Sequence, residues 1–133
     1  MTVDGQAVAS PSVFVVDDEP DLRMLARAIL ERNGFSIAAE AEDGTQALER
    51  FQELNPPSTP SVVLLDNRMP GLTGLEVAER MLALHPSQVI ILFSAHLDSV
   101  VQQSARALGI TACVSKAQVT KLPDIIRGLL PQP

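Results

Sequence analysis

Short aliphatic and β-branched runs recur along this chain, separated by longer segments of helical period, and that alternation restricts it to a βα-repeat architecture more tightly than any other feature. The spacing predicts a first buried strand over Ser12–Asp17. A helix follows, opened by Asp18, Glu19, Pro20 and Asp21 with proline in its first turn, carrying the apolar stripe Leu22, Leu25, Ala26, Ile29 and Leu30 and ending at Asn33-Gly34. Phe35–Glu40 reads as a weaker second strand. Asp43-Gly44 opens a second helix with Ala47, Leu48 and Phe51 inward, and the proline-rich run Asn55–Pro60 is a stiff loop.

The second half repeats the pattern. Val62–Asp66 is apolar up to its last residue, as a strand buried on both faces of a parallel sheet must be. Gly71 and Gly74 break the following loop, a third helix runs over Leu75–Leu84 and ends before His85-Pro86, and Gln88–Ser94 is a fourth buried strand. Ser99–Leu108 is a fourth helix closed by Gly109, Thr111–Ser115 a short fifth strand, and the last helix has Pro123 in its first turn, Ile125, Ile126, Leu129 and Leu130 inward, and Pro131 as its stop. Five βα units in 133 residues imply one α/β domain with an open, doubly wound parallel sheet and helices on both faces, because right-handed crossovers alternate the covered face. The reading divides the chain into a loose polar leader over 1–11, a folded unit over 12–130 and a short tail over 131–133.

Composition narrows the function classes. Ten basic against sixteen acidic residues give a net charge of −6, which disfavours direct nucleic-acid contact by this chain. Apolar runs such as Val89–Phe93 are far shorter than the roughly 18 residues of a membrane span. The leader has neither a basic start nor an apolar run, so it is no secretion signal, and the single cysteine, Cys113, suits a reducing compartment; both readings place the chain in the cytoplasm.

Ligands of doubly wound sheets bind at the carboxyl ends of the strands, where this sequence sets Asp17-Asp18, Asp66, Ser94 and, just after the fifth strand, Lys116. Carboxylates gathered at one edge repel one another and call for a cation or raised pKa values. An all-oxygen set suits Mg²⁺, and a hydroxyl and an ammonium opposite it would complete a cradle for a phosphoryl group. Each residue also has a plainer reading: Asp17, Asp18 and Asp21 as helix-capping acids, Asp66 as a turn residue beside Asn67, Ser94 as an ordinary serine and Lys116 as a surface lysine. Four coincidences at four strand ends would then be needed.

The runs VFVVDDEPDLRMLARAIL, VVLLDNRMPGLTGLEVAERM, VIILFSA and GITACVSK, in register over about Ser12–Leu130, resemble the receiver domain of two-component response regulators. The resemblance implies a flavodoxin-like sheet of order 2-1-3-4-5. It also implies Asp66 as phosphoacceptor, Mg²⁺ held by Asp17, Asp18, Asp66 and the carbonyl of Arg68, Ser94 as switch hydroxyl and Lys116 as the cation pairing with the phosphate. A sensor histidine kinase or phosphotransfer protein would be the donor, and a downstream protein or fused output domain the recipient of the signal. A homodimer through the last two helical units is a further implication. Such a chain assists its own phosphorylation and dephosphorylation without turning over a separate substrate, and so is not an enzyme.

Two alternatives stand beside this reading: a phosphorylation-independent docking module with a vestigial pocket, and a Mg²⁺-dependent phosphohydrolase using Asp66. The second would need a general acid two residues on, where this chain has Arg68. Gly71-Leu72-Thr73-Gly74 fits no nucleotide-binding pattern. His85 reads as a helix-end residue, His96 as able to face the site, and Met24, Met69 and Met81 as packing residues. Two departures from the family pattern concern output: Cys113 stands where most receivers carry an aromatic ring, and Ala117, in place of proline, implies a more pliable loop after Lys116. The stretches 40–48 and 109–116 look more like receivers fused to small helix-turn-helix domains.

Overall fold

A computed structural model describes residues 10–54, 56 and 58–131, so most of the leader, the end of the tail and two positions of the Asn55–Pro60 run lie outside the described residues. Five parallel strands form a single sheet of order β2-β1-β3-β4-β5: β1 (Ser12–Val16), β2 (Ser36–Ala41), β3 (Val62–Leu65), β4 (Ile90–Ser94) and β5 (Ala112–Ser115). Between and after them run α1 (Pro20–Arg32), α2 (Gly44–Leu54), α3 (Gly74–Leu84), α4 (Ser99–Leu108) and α5 (Leu122–Leu129). This is the doubly wound α/β architecture, in the expected strand order.

Strand residues point alternately to the two faces, and so β1 feeds two cores. Phe14 and Val16 join Phe51, Leu65, Val77 and Met81 beneath α2, α3 and α4. Val13 and Val15 join Ala26, Leu30, Ile91, Phe93, Leu122 and Ile126 beneath α1 and α5. Central strands β3 and β4 are buried along their whole length, which accounts for their unbroken apolar sequence. At the amino end, Ser12 and Ser61 clamp β1 to β3 through reciprocal bonds, each backbone N–H donating to the other's hydroxyl at 3.0 and 3.1 Å.

Helix ends follow local chemistry. Thr73 and Glu76 form a capping box at the start of α3, Asp98 caps α4 by accepting the N–H of Val101, and Gly109 ends α4 in the left-handed conformation at φ 95°. Three expectations need correction. Leu25 is 46% exposed and Met24 67%, because Leu22, Ala26 and Leu30 form the stripe that meets the sheet, leaving Leu25 on its flank and Met24 on the solvent side. Met69 and Met81 do pack inside. The chain after Lys116 is not an open loop: Lys116–Lys121 winds into 3₁₀ turns with a kink at Gln118, started by the Ser115 hydroxyl accepting the N–H of Ala117 and packed through Val119 against the α1/α5 core.

Candidate functional site

Asp17 and Asp66 each stand one residue beyond the last strand position of β1 and β3, side by side in the middle of the sheet. Their backbones stay anchored, Asp17 N–H to the carbonyl of Ala41 and Asp66 N–H to that of Val16. Both are buried, 2% and 3% exposed, so two carboxylates meet where water screens them poorly. Ser94 ends β4, fully buried, its hydroxyl accepting the N–H of His96 at 3.3 Å. Lys116 follows β5 and reaches across the end of the sheet.

The ammonium of Lys116 lies 2.9 Å from Glu19, 3.0 Å from Asp17 and 3.2 Å from Asp66. Its charge is well held: burial pulls its pKa down, but bonds to Glu19 and Asp17 and the charge of Asp66 outweigh that and push it up. Asp66 goes the other way. Burial, then the neighbouring charge of Asp17, push its pKa up to about 6, against the opposing pull of Lys116 and the Arg68 N–H. Desolvation is the largest of these effects, and the repulsion from Asp17 adds to it, so the nearby ammonium does not bring the carboxyl back to its ordinary value.

The loop behind Asp66 is fixed by close backbone approach. Asn67 accepts the N–H of Leu75 through its side chain and that of Gly74 through its carbonyl, tying the loop to the first turn of α3. A Cβ at Gly74 would sit 2.3 Å from the carbonyl oxygen of Asp66, so only glycine lets the helix approach the loop this closely.

Asp18, Glu19, Asp66, Arg68, Ser94, Ala95, His96 and Lys116 line one open cleft of about 410 Å³. The residues singled out from sequence therefore converge, with Asp17 beneath them against Lys116. His96 does face this cleft, while His85 is the C-cap of α3 and is not among the residues that line it. Arg68 turns its backbone N–H to Asp66 at 3.3 Å. Cys113 lies within β5, level with Leu92 and half-buried, its thiol pKa pushed up by burial. Sequence reasoning passed over Glu19, treating it as helix-start chemistry; the signal was the third acid in the run Asp17-Asp18-Glu19.

Asp17, Asp18, Glu19 and Asp66 each offer a carboxylate oxygen within 4.8 Å of the others. A hard, oxygen-seeking divalent cation fits this donor set, which holds excess negative charge even after Lys116 is counted. No helix among the described residues is long and apolar enough to cross a membrane.

Comparison with known proteins points to one family. The sequence matches the model of the response regulator receiver domain over residues 13–127. It is 35% identical over 83 residues to the chemotaxis protein CheY of Bacillus subtilis, covering 62% of this chain and 66% of that protein. Over 110 residues it is 34% identical to the protein-glutamate methylesterase/protein-glutamine glutaminase of Rhizobium etli, covering 81% of this chain and 30% of that one. A crystal structure of a DNA-binding response regulator of the LuxR family from Staphylococcus aureus superposes with a TM-score of 0.81 at 27% identity, covering 90% of this chain and 98% of that chain. The chain spans between about a fifth and two thirds of the length of the curated relatives it matches.

Proposed function

Because the chain belongs to the family of response regulator receiver domains, we propose that it is a phosphorylation-activated switch of a two-component system, with Asp66 as its phosphoacceptor. The supporting observation is the convergence of Asp66, Ser94 and Lys116, from three different strand ends, on one cleft beside a carboxylate cluster. The unit that switches is 12–130. In the transfer, a carboxylate oxygen of Asp66 forms a bond to phosphorus as the bond from phosphorus to the donor's imidazole nitrogen breaks, and the electron pair stays on that nitrogen.

Mg²⁺ would be held by Asp17, Asp18, Asp66 and the carbonyl of Arg68, and when bound it supplies positive charge close to the phosphoryl oxygens. Lys116 supplies a second positive charge, its ammonium held by Glu19, Asp17 and Asp66. The hydroxyl of Ser94 accepts the His96 N–H through a lone pair and keeps its own O–H to donate to a phosphoryl oxygen. These new bonds exist only in the phosphorylated state, so they bias the β4–α4 and β5 ends of the sheet by their own interaction energy. With Cys113 in place of a ring, displacement of those segments carries the signal.

The donor on this reading is a sensor histidine kinase or phosphotransfer protein, the recipient a downstream protein or a fused output domain, and the compartment the cytoplasm. Hydrolysis of the acyl phosphate resets the switch, and the chain turns over no separate substrate. Intact-mass analysis after incubation with Mg²⁺ and a small acyl-phosphate donor tests the assignment, alongside Asp66→Asn and a chelated control. A Mg²⁺-dependent phosphoryl adduct, absent from the variant, is the expected result; no adduct from that donor or from a matched kinase overturns it.

A further inference from the structure

Glu19 occupies the N-cap position of α1, yet its side chain caps nothing: no hydrogen bond runs from it to the first turn of the helix. Asp17 accepts the N–H of Glu19 instead, at 2.9 Å. The Glu19 carboxylate reaches away from its own helix to Lys116, at 2.9 Å the shortest of that ammonium's three contacts. The capping role that its position suggests is therefore vacant, and the side chain is committed to the site.

An ammonium has three hydrogens, and three carboxylates already face that of Lys116. A phosphoryl group on Asp66 brings further acceptor oxygens to the same cation, and these compete with the partners it already has. Asp17 is a poor candidate to yield, since its carboxylate is 3% exposed and is held by the Glu19 N–H. Asp66 itself carries the phosphoryl group. Glu19, 64% exposed, is re-solvated at little cost on leaving.

We propose that Glu19 is a positioning residue for Lys116: it holds the ammonium over Asp66 in the resting state and surrenders it to the phosphoryl oxygens in the activated one. This rests on Asp66 as phosphoacceptor and adds a resting-state competitor that sets how readily the switch closes. Removing the Glu19 charge leaves the activated state's bonds intact and withdraws one from the resting state. The phosphoryl-bound form is then favoured.

The experiment is a titration of the whole chain with beryllofluoride, a phosphoryl mimic, at saturating Mg²⁺, followed by ¹⁹F NMR. Glu19→Gln binds the mimic roughly two- to fivefold more tightly, as the loss of one exposed ion pair from the resting state requires. Glu42→Gln removes another exposed charge near Asp18 that is not one of Lys116's partners, and leaves the affinity unchanged. In a Lys116→Gln background, the Glu19→Gln gain disappears. An equal gain from Glu42→Gln, a gain that persists without Lys116, or no gain from Glu19→Gln each overturns the proposal; where Lys116→Gln binds no mimic, the comparison with Glu42→Gln decides. Absence of binding by the unaltered chain overturns the phosphoacceptor reading as well, which separates the two failures.

Discussion

Lys116 and Asp66, fifty residues apart in sequence, meet at 3.2 Å between Nζ and Oδ2, joining the ends of β5 and β3 across the top of β4. This contact puts the cleft's cation against its most perturbed carboxylate. Replacing Lys116 with methionine leaves Asp17 and Asp66 buried without their cation and destabilises the metal-free chain by about 2 kcal/mol, relieved in part by protonation of Asp66. Urea unfolding with and without Mg²⁺ checks this, and Mg²⁺ recovers part of the loss.

Asp66→Asn has the opposite effect on the metal-free chain. The folded state binds the Asp66 proton more tightly than the unfolded state, with a pKa of about 6 against the ordinary 3.8. Raising the pH through that window strips a proton that folding favours, so the Asp66 charge costs stability as pH rises from about 4 to 6 and costs it in full above. The variant is therefore more stable than the unaltered chain by up to about 3 kcal/mol at pH 7 in chelator, and the gap closes toward pH 4. Chemical unfolding at a series of pH values measures it; a pH-independent difference contradicts it.

Divalent cation relieves the same repulsion. At a Mg²⁺ concentration ten times its dissociation constant the chain gains about 1.4 kcal/mol of stability, reversed by chelator. Asp17→Ala and Asp18→Ala each abolish the Mg²⁺-dependent shift in Tm, whereas Asp21→Ala, on the helix beyond the cluster, keeps it.

Gly74→Ala drives a methyl group to within 2.3 Å of the Asp66 carbonyl oxygen and 2.8 Å of the Asn67 Cα. Backbone on both sides cannot yield cheaply, and the variant loses about 3 kcal/mol together with adduct formation at Asp66. Gly128→Ala is the contrasting case, with nothing within 4 Å of the new Cβ in the exposed face of α5. There the helix gains up to about 1 kcal/mol. Thermal unfolding of the pair distinguishes crowding from a general intolerance of glycine replacement.

Much of this molecule is legible in local pattern. The runs that become β1, β3 and β4 are unbroken because both faces of the sheet are covered, and α4 was bounded correctly because Gly109 fits the left-handed cap position. Asp17, Asp18, Asp66, Ser94 and Lys116 were picked out because each falls at or just after a strand end, where such sheets carry their ligands. Leu25 and Met24 were misread, since helical period says which residues share a face and not which of two neighbouring faces meets the sheet. The 3₁₀ turns after Lys116 pack through Val119 against the α1/α5 core, a contact with no local signature.

The sequence by itself determined the kind of sheet, its covered faces and the chemical types gathered at its carboxyl edge, because periodicity and strand-end position are properties of neighbouring residues. Tertiary structure alone decided how those groups share their charge. Whether Glu19 caps its helix or holds Lys116, whether Asp66 titrates near 4 or near 6, and why position 74 admits only glycine all depend on distances between residues far apart along the chain. Coulomb energy and steric overlap are functions of those distances, and folding is what sets them.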